Sequence, residues 1–211
     1  MIPLSPLYVI LDADVCASAG WTLVDYTKAC LAGGARLLQV RAKGSSGQAF
    51  LDATGAIVEL AQSVDALVIV NDRVDVALAT GAGGVHVGQD DLPPRAVRSI
   101  MPAGALIGYS THSHEQLTDA FEQPIDYAAI GPVFGTATKD TGYDARGLDL
   151  VRAIATRTRA RDLALVGIGG ITLERAPSVI EAGAQSVAVI SDVLKTGEPE
   201  ARVRAFVQAL Q

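Results

Sequence analysis

Asn71–Asp91, NDRVDVALATGAGGVHVGQDD, holds two strand ends and the helix between them. An unbroken apolar run, Ala66 to Val70, leads into Asn71 and Asp72, and a second, Gly84 to Gly88, stops before Gln89, Asp90 and Asp91. Between them Val74, Ala77 and Leu78 recur at helical spacing and Gly81 closes the run, which gives a strand, helix, strand unit. A crossover of this kind returns the chain in the same direction, so the two strands are expected to be parallel. Both acidic groups then sit at strand carboxyl ends, where they read as half of a cation site.

The same pattern repeats outward in both directions. Apolar runs rich in Val and Ile occur at Leu7–Leu11, Leu37–Ala42, Ala66–Val70, Gly84–Gly88, Leu106–Gly108, Tyr127–Val133, Ala164–Ile168 and Ser186–Ile190, each bounded by Gly, Asp, Ser or Pro. A helix-period segment follows each, from Leu23, Tyr26, Thr27, Cys30 and Leu31 after the first to Val203, Phe206, Val207 and Leu210 after the last. Continuous apolarity requires both faces of a strand to be covered, as in parallel α/β sheets. Eight such units predict a single (β/α)8 TIM barrel. The alternative, a doubly wound open sheet, would usually carry a glycine-rich dinucleotide turn after its first strand, where this chain has Asp12-Ala13-Asp14. Ser113 with Gln116 has capping-box spacing, Pro94 and Pro199 suit first helical turns, and Gly33-Gly34 can end the first helix.

With 211 residues, 49% of them hydrophobic, the chain can bury one large core, so residues 1–211 are expected to form one domain. The formal net charge of −6 and the absence of any run of Lys or Arg exclude a nonspecific nucleic-acid binder, and an anionic substrate would need locally placed cations. Cys16 and Cys30 are too few for a disulfide framework and read as small buried side chains in a reducing compartment. The amino end, MIPLSPLYVILD, lacks the features of a secretory leader, and no segment reaches membrane-spanning length uninterrupted. A cytoplasmic enzyme of small molecules, with no nucleic-acid or membrane partner, is expected; self-association as a homo-oligomer stays open.

In such a barrel the chemistry gathers at the carboxyl ends of the strands. The second strand ends Gln39-Val40-Arg41-Ala42-Lys43, where a period of two puts Gln39, Arg41 and Lys43 on one face and Val40 and Ala42 on the other. Three inward polar side chains are costly unless a ligand or counter-charge meets them, and a solvated rim or internal salt bridge is an equal alternative. Asn71 and Asp72 close the third strand, Gln89 to Asp91 the fourth, and Ser110 with His112 the fifth. Taken alone, Asp72 reads more readily as a helix cap, His112 and His114 as ordinary polar residues, and His86, inside a strand, as structural. Two acidic strand ends beside a cationic one nevertheless suit Mg²⁺ bridging carboxylates and a polyphosphate.

After the sixth strand, Gly131 to Lys139 form the longest helix-free connection near the mouth, with donors at Thr136, Thr138 and Lys139 for phosphate oxygens. Gly167-Ile168-Gly169-Gly170-Ile171-Thr172 lets backbone amides come close before a helix with Thr172 as the expected cap. Ile190-Ser191 closes the eighth strand beside Gly170, and the loops after strands seven and eight are a recurrent phosphate site of this fold. Trp21, Tyr143 and the other aromatics show no stacking pattern and read as packing.

The segments QVRAK, NDRVDVAL, GVHVGQDDLP, IGYSTH, GPVFGTATK, GIGGI and VAVIS, in this order across most of the chain, resemble the thiamine-phosphate synthase family. That resemblance implies a (β/α)8 barrel that joins an aminomethylpyrimidine diphosphate to a thiazole phosphate with Mg²⁺ and releases diphosphate by a dissociative route. It also implies roles: Gln39, Val40, Arg41, Ala42, Lys43, Asn71, Ser110 and Lys139 for the pyrimidine diphosphate, with Arg41, Lys43, Ser110 and Lys139 acting in catalysis. Thr136, Ala137, Thr138, Gly170, Ile190 and Ser191 would hold the thiazole phosphate, and Asp72 and Asp91 the Mg²⁺. Gly135, where the family often has proline, and Ser45-Ser46-Gly47 depart from the pattern. The alternatives are a thiazole tautomerase or a noncatalytic thiazole-phosphate-binding regulator, relatives that tend to lose the metal carboxylates and the cationic strand end.

Overall fold

All eight apolar runs form strands, since a segment apolar on both faces is stable only where both are covered. The computed structural model describes residues 4–135 and 144–211. Its strands are β1 (Leu7–Asp12), β2 (Leu37–Arg41), β3 (Leu67–Asn71), β4 (Gly84–Val87), β5 (Leu106–Thr111), β6 (Tyr127–Ile130), β7 (Ala164–Ile168) and β8 (Ser186–Val189). They pair in parallel in chain order, and β8 returns to β1 to close the barrel. Around them lie α1 (Ala13–Ser18), α2 (Leu23–Ala32), α3 (Gly47–Gln62), α4 (Val74–Thr80), α5 (Pro94–Ile100), α6 (His114–Ala120), α7 (Gly147–Arg159), α8 (Ala176–Glu181) and α9 (Pro199–Ala209).

Strand alternation divides the buried residues into two layers. Tyr8, Ile10, Leu37, Ile69, Leu106 and Tyr127 belong to the cluster that fills the barrel. Leu7, Val9, Leu11, Leu38 and Val40 belong to the larger cluster in which the helices cover the strands. Close approach fixes two glycines: a Cβ at Gly84 would stand 2.2 Å from the Leu106 carbonyl oxygen on the next strand, and one at Gly33 would stand 2.6 Å from the Glu200 carbonyl oxygen in α9.

The expected caps form with one change. Gly33 ends α2, Gly34 follows with φ +104°, and Pro94 and Pro199 open α5 and α9. The Ser113 hydroxyl accepts from the Gln116 amide at 3.1 Å, while the Gln116 side chain accepts from His112 N–H at 2.7 Å, one residue earlier than a capping box requires.

Several boundaries differ from the pattern for identifiable reasons. β6 stops at Ile130 rather than Val133, because the Val133 and Phe134 amides donate to the Ile168 and Gly169 carbonyls, 2.8 and 3.0 Å away, and draw the chain toward β7. β8 stops at Val189, and Ser191–Val193 make one tight turn. An extra short helix, α1, follows β1 because the Asp12 carboxylate accepts from the Asp14 and Val15 amides, both at 3.2 Å. Thr172 does not cap α8: its carbonyl accepts from the Arg175 and Ala176 amides, so a separate turn precedes the helix.

Candidate active site

Parallel closure brings all eight carboxyl ends to one mouth, and on one side of it β1 to β4 supply charge. Gln39 is only 3% exposed and donates from Nε2 to the Tyr8 hydroxyl at 2.7 Å, which places it inside the barrel below the rim. Val40 packs outward beneath the helices and Ala42 is buried. Arg41 lies beside Asp12 in the β1–β2 register and is paired with its carboxylate, so the salt-bridge alternative holds for this residue. Lys43 is largely exposed and its Nζ is 3.0 Å from Asp72 Oδ2. A pair with its lysine in solvent contributes modestly to folding and leaves the lysine able to exchange partners.

Asp72 has φ +62°, a left-handed conformation that costs a non-glycine residue energy. Its N–H is held by the His86 carbonyl at 2.8 Å, which fixes the conformation against that cost. α4 begins after Arg73 with no side-chain cap, so Asp72 does not serve the capping role the sequence favours. Across from it Asp91 accepts from the Gly88 amide at 2.7 Å. Burial holds the Asp91 carboxyl above its ordinary value, the facing Asp72 carboxylate adds to the rise, and the Gly88 amide and the Lys43 ammonium oppose it. Two facing carboxylates at a rim fit Mg²⁺, which is commonly held by one or two carboxylates with water and substrate phosphates completing its shell. Among the described residues no three His, Cys, Asp or Glu side chains gather as an all-protein metal cage. Asn71 is buried beside them at the end of β3.

On the other side, between β5 and β8, is a cavity of about 440 Å³ lined by Ser110, His112, Gly170, Ile190, Ser191 and Lys195 among others. Its floor is the Gly169-Gly170 turn, where φ is +98° and +61°. A Cβ at Gly170 would stand 2.4 Å from the Gly135 carbonyl oxygen, so neither the backbone angle nor the space admits a side chain. Arg175 donates to the Gly170 carbonyl at 2.9 Å and lies over the Phe134 ring, which aims one cation along the turn. Asp192 is buried under the β8 end, accepting from Leu173 N–H at 3.1 Å and from Arg202 at 2.6 Å, and so ties the seventh and eighth loops together. Gly135 has open space around its Cβ position, so the departure from the family's proline needs no steric explanation.

The structure therefore gathers Arg41, Lys43, Asn71, Asp72 and Asp91 on one side of the mouth and Gly170, Ile190 and Ser191 on the other, with Ser110 between. Thr136, Ala137, Thr138 and Lys139 lie outside the described residues. Sequence reasoning missed Asp12, Arg175 and Lys195. Asp12 carried the same signal as Asp72, an acid at a strand end; Arg175 and Lys195 carried only their nearness to the Gly169-Gly170 turn. It also missed that His86, Tyr127, Tyr8 and Gln39 are bonded together. The His86 and Tyr127 rings stack with centroids 5.5 Å apart and planes 24° from parallel, an aromatic contact that the sequence did not announce.

A closed parallel barrel with acids, cations and a glycine turn bordering a cavity at the carboxyl ends defines the class: a (β/α)8-barrel enzyme. The family model described as thiamine monophosphate synthase matches residues 7–193. The chain is 42% identical over 211 residues to the thiamine-phosphate synthase of Koribacter versatilis, covering 99% of this chain and 97% of the relative. It is 42% identical over 200 residues to that of Roseiflexus castenholzii, covering 95% and 86%. A solved thiamine phosphate pyrophosphorylase from Pyrococcus furiosus superposes with a TM-score of 0.87 at 30% identity, covering 98% of this chain and 95% of that one. The chain belongs to the thiamine-phosphate synthase family, a family of transferases in thiamine biosynthesis.

Proposed function

We propose that this mouth joins 4-amino-2-methyl-5-(diphosphooxymethyl)pyrimidine to 4-methyl-5-(2-phosphoethyl)thiazole, or to its carboxylated form, giving thiamine phosphate and diphosphate. One observation carries the reading: Lys43, Asp72 and Asp91 face one another on one side of the mouth, opposite a cavity floored by the Gly169-Gly170 turn. That division suits a diphosphate on one side and a monophosphate on the other.

In a dissociative displacement the bond between the pyrimidine methylene and the diphosphate oxygen breaks first, and the thiazole nitrogen then captures the methylene cation. No protein nucleophile is needed; the chain's task is to hold two substrates in line and to meet the charge growing on the departing diphosphate. Lys43 and Lys139 would supply cations for that charge, Arg41 would do so from within its pair with Asp12, and Asn71 and the Gln39–Lys43 segment would hold the pyrimidine diphosphate, with Gln39 acting from below the rim. Lys43, the solvent-facing member of its ion pair, can exchange Asp72 for the diphosphate. Asp72 and Asp91 would hold Mg²⁺, which when bound neutralises charge on diphosphate oxygens. The Gly170 amide with Ile190, Ser191, Thr136, Ala137 and Thr138 would hold the thiazole phosphate, and the Ser110 hydroxyl would donate to the diphosphate or the pyrimidine.

We place the enzyme in the cytoplasm as one domain; no described helix is long and apolar enough to cross a membrane. The retained acids Asp72 and Asp91 and the cations Arg41 and Lys43 favour synthesis over the tautomerase and regulator alternatives. Incubating the protein with both substrates and Mg²⁺, and measuring thiamine phosphate and diphosphate together, tests the reading. Isomerisation of the carboxylated thiazole phosphate without diphosphate release would replace synthesis by the tautomerase, and binding without turnover would replace it by the regulator.

A further inference from the structure

A row of hydrogen bonds crosses the barrel interior and ends on Ser110. Gln39 Nε2 donates to the Tyr8 hydroxyl at 2.7 Å, the Tyr8 and Tyr127 hydroxyls are 3.0 Å apart, and the Tyr127 hydroxyl is 3.0 Å from His86 Nδ1. His86 Nε2 is in turn 2.9 Å from Ser110 Oγ. Tyr8 and Tyr127 are 1% exposed, and burial pushes both phenols above their ordinary value, so each keeps its proton and has one donor to place. The strand sequence is built to admit the central contact. A Cβ at Gly108 would stand 2.0 Å from Tyr127 Cζ and 2.4 Å from His86 Nδ1, so the ring pair occupies the space that any side chain in the middle of β5 would take.

Counting donors gives the row a direction. The Gln39 amide nitrogen can only donate, so the Tyr8 oxygen accepts from it and turns its own hydrogen toward Tyr127. Tyr127 then donates to His86 Nδ1, which must carry a lone pair, and the ring hydrogen is left on Nε2, facing Ser110 Oγ. With that lone pair of its oxygen engaged, the serine has its hydrogen free for the mouth. We propose that His86, held as the Nε2–H tautomer by Tyr127 and Tyr8, is a positioning residue that fixes Ser110 as a hydrogen-bond donor toward the substrate. The consequence for catalysis rests on the assignment of Ser110 to the substrate site above; the tautomer itself does not. A serine oriented in this way before substrate arrives meets developing negative charge without having to exchange its own partners first. Reversing the row, with Gln39 accepting through Oε1, would put the ring hydrogen on Nδ1 and point the serine hydrogen inward at the imidazole.

Nitrogen NMR of the protein with ¹⁵N-labelled histidine separates the two arrangements. The His86 signals, identified by their loss in His86→Gln, are expected to show a pyridine-type Nδ1 and a pyrrole-type Nε2; the opposite pattern overturns the proposal. Tyr127→Phe keeps the ring but not the donor to Nδ1, and should move the His86 nitrogens toward a mixed pattern, which also assigns them if His86→Gln does not fold. Unmoved signals in Tyr127→Phe overturn the proposed hold on the tautomer. In turnover, His86→Leu should lower kcat by about tenfold, the size expected for losing one oriented hydrogen bond. His86→Gln, which keeps a donor within reach of Ser110, should recover most of that loss. The double variant His86→Leu with Ser110→Ala should be no slower than Ser110→Ala alone, because the histidine acts only through the serine. Additive losses overturn the positioning role. A wild type with the expected tautomer that makes no thiamine phosphate overturns the proposed function, and the catalytic part of this proposal with it, while the nitrogen signals still report the direction of the row.

Discussion

Asp72 combines a left-handed backbone with a carboxylate held toward a lysine and a second carboxylate. Glycine adopts that backbone freely, so Asp72→Gly relieves the strain while removing the charge. Its melting temperature is expected to stay level or rise, the strain released being on the order of 1–3 kcal/mol before glycine's greater loss of chain freedom is subtracted, while turnover and its dependence on Mg²⁺ collapse. A clear fall in melting temperature with turnover retained would return Asp72 to a structural role. Asp91→Ala should likewise lose turnover at fixed Mg²⁺ with only a small change in melting, since the side chain sits at the rim and its Gly88 amide partner can turn to water. On the other side of the mouth, Ser191→Asp is expected to weaken the thiazole phosphate selectively. Two like charges about 4 Å apart at an intermediate effective dielectric repel by roughly 4 kcal/mol. Calorimetric titration of each substrate alone checks this; equal weakening of both would indicate general damage to the barrel. At this scale the sequence exposed Asp72 and Asp91, because an acid at the end of an apolar run stands out. It classed His86 as structural, because nothing in a linear pattern shows that its ring reaches Ser110 two strand positions into the neighbouring strand.

Among the elements, α2 and α9 meet at Gly33, where the built Cβ would strike both the Glu200 carbonyl oxygen and the Val203 side chain. Backbone cannot rotate out of the way as a side-chain end can, so Gly33→Ala must push the last helix off the first long one. Overpacking of this kind costs typically 1–3 kcal/mol. In a chain of this size that corresponds to a fall in melting temperature of roughly 2–4 °C per kcal/mol. Gly33 precedes β2, at the end of the barrel away from the mouth, so kcat measured well below the transition should be unchanged; a matching loss of kcat would mean that the helix layer transmits to the site. The eight strands and their following helices were legible because each is long enough for its period to show. The ends were less so: β6 stops at Ile130 because the next amides find partners on the β7 side, and Thr172 loses α8 to an intervening turn. Those choices depend on which carbonyl lies nearest in space.

For the whole molecule, closure of β8 on β1 leaves no sheet edge, and every strand depends on two neighbours. Limited proteolysis is therefore expected to yield no stable fragment smaller than the barrel apart from cuts in surface loops, which tests the single-domain reading. Chelation of divalent metal should abolish turnover yet leave the melting temperature nearly unchanged, because two rim carboxylates contribute little to the core. A large loss of stability on chelation would point instead to a structural ion.

The amino-acid sequence determined the barrel. Eight apolar runs, each with a helix-period segment behind it, have few ways to cover both strand faces, and the acids at Asp72 and Asp91 fall at one mouth once the strands are parallel. What only the tertiary structure decided are relations across the barrel. Gln39 lies inside, bonded to Tyr8, and not at the rim; Arg41 is matched to Asp12 from the strand before it; Gly108 is the space into which Tyr127 meets His86. The physical reason is range: periodicity is a local property that fixes which face of its own strand a side chain occupies, whereas a hydrogen bond needs a partner within about 3 Å, and strand order and register alone bring residues as distant as Tyr8 and Tyr127 to that separation.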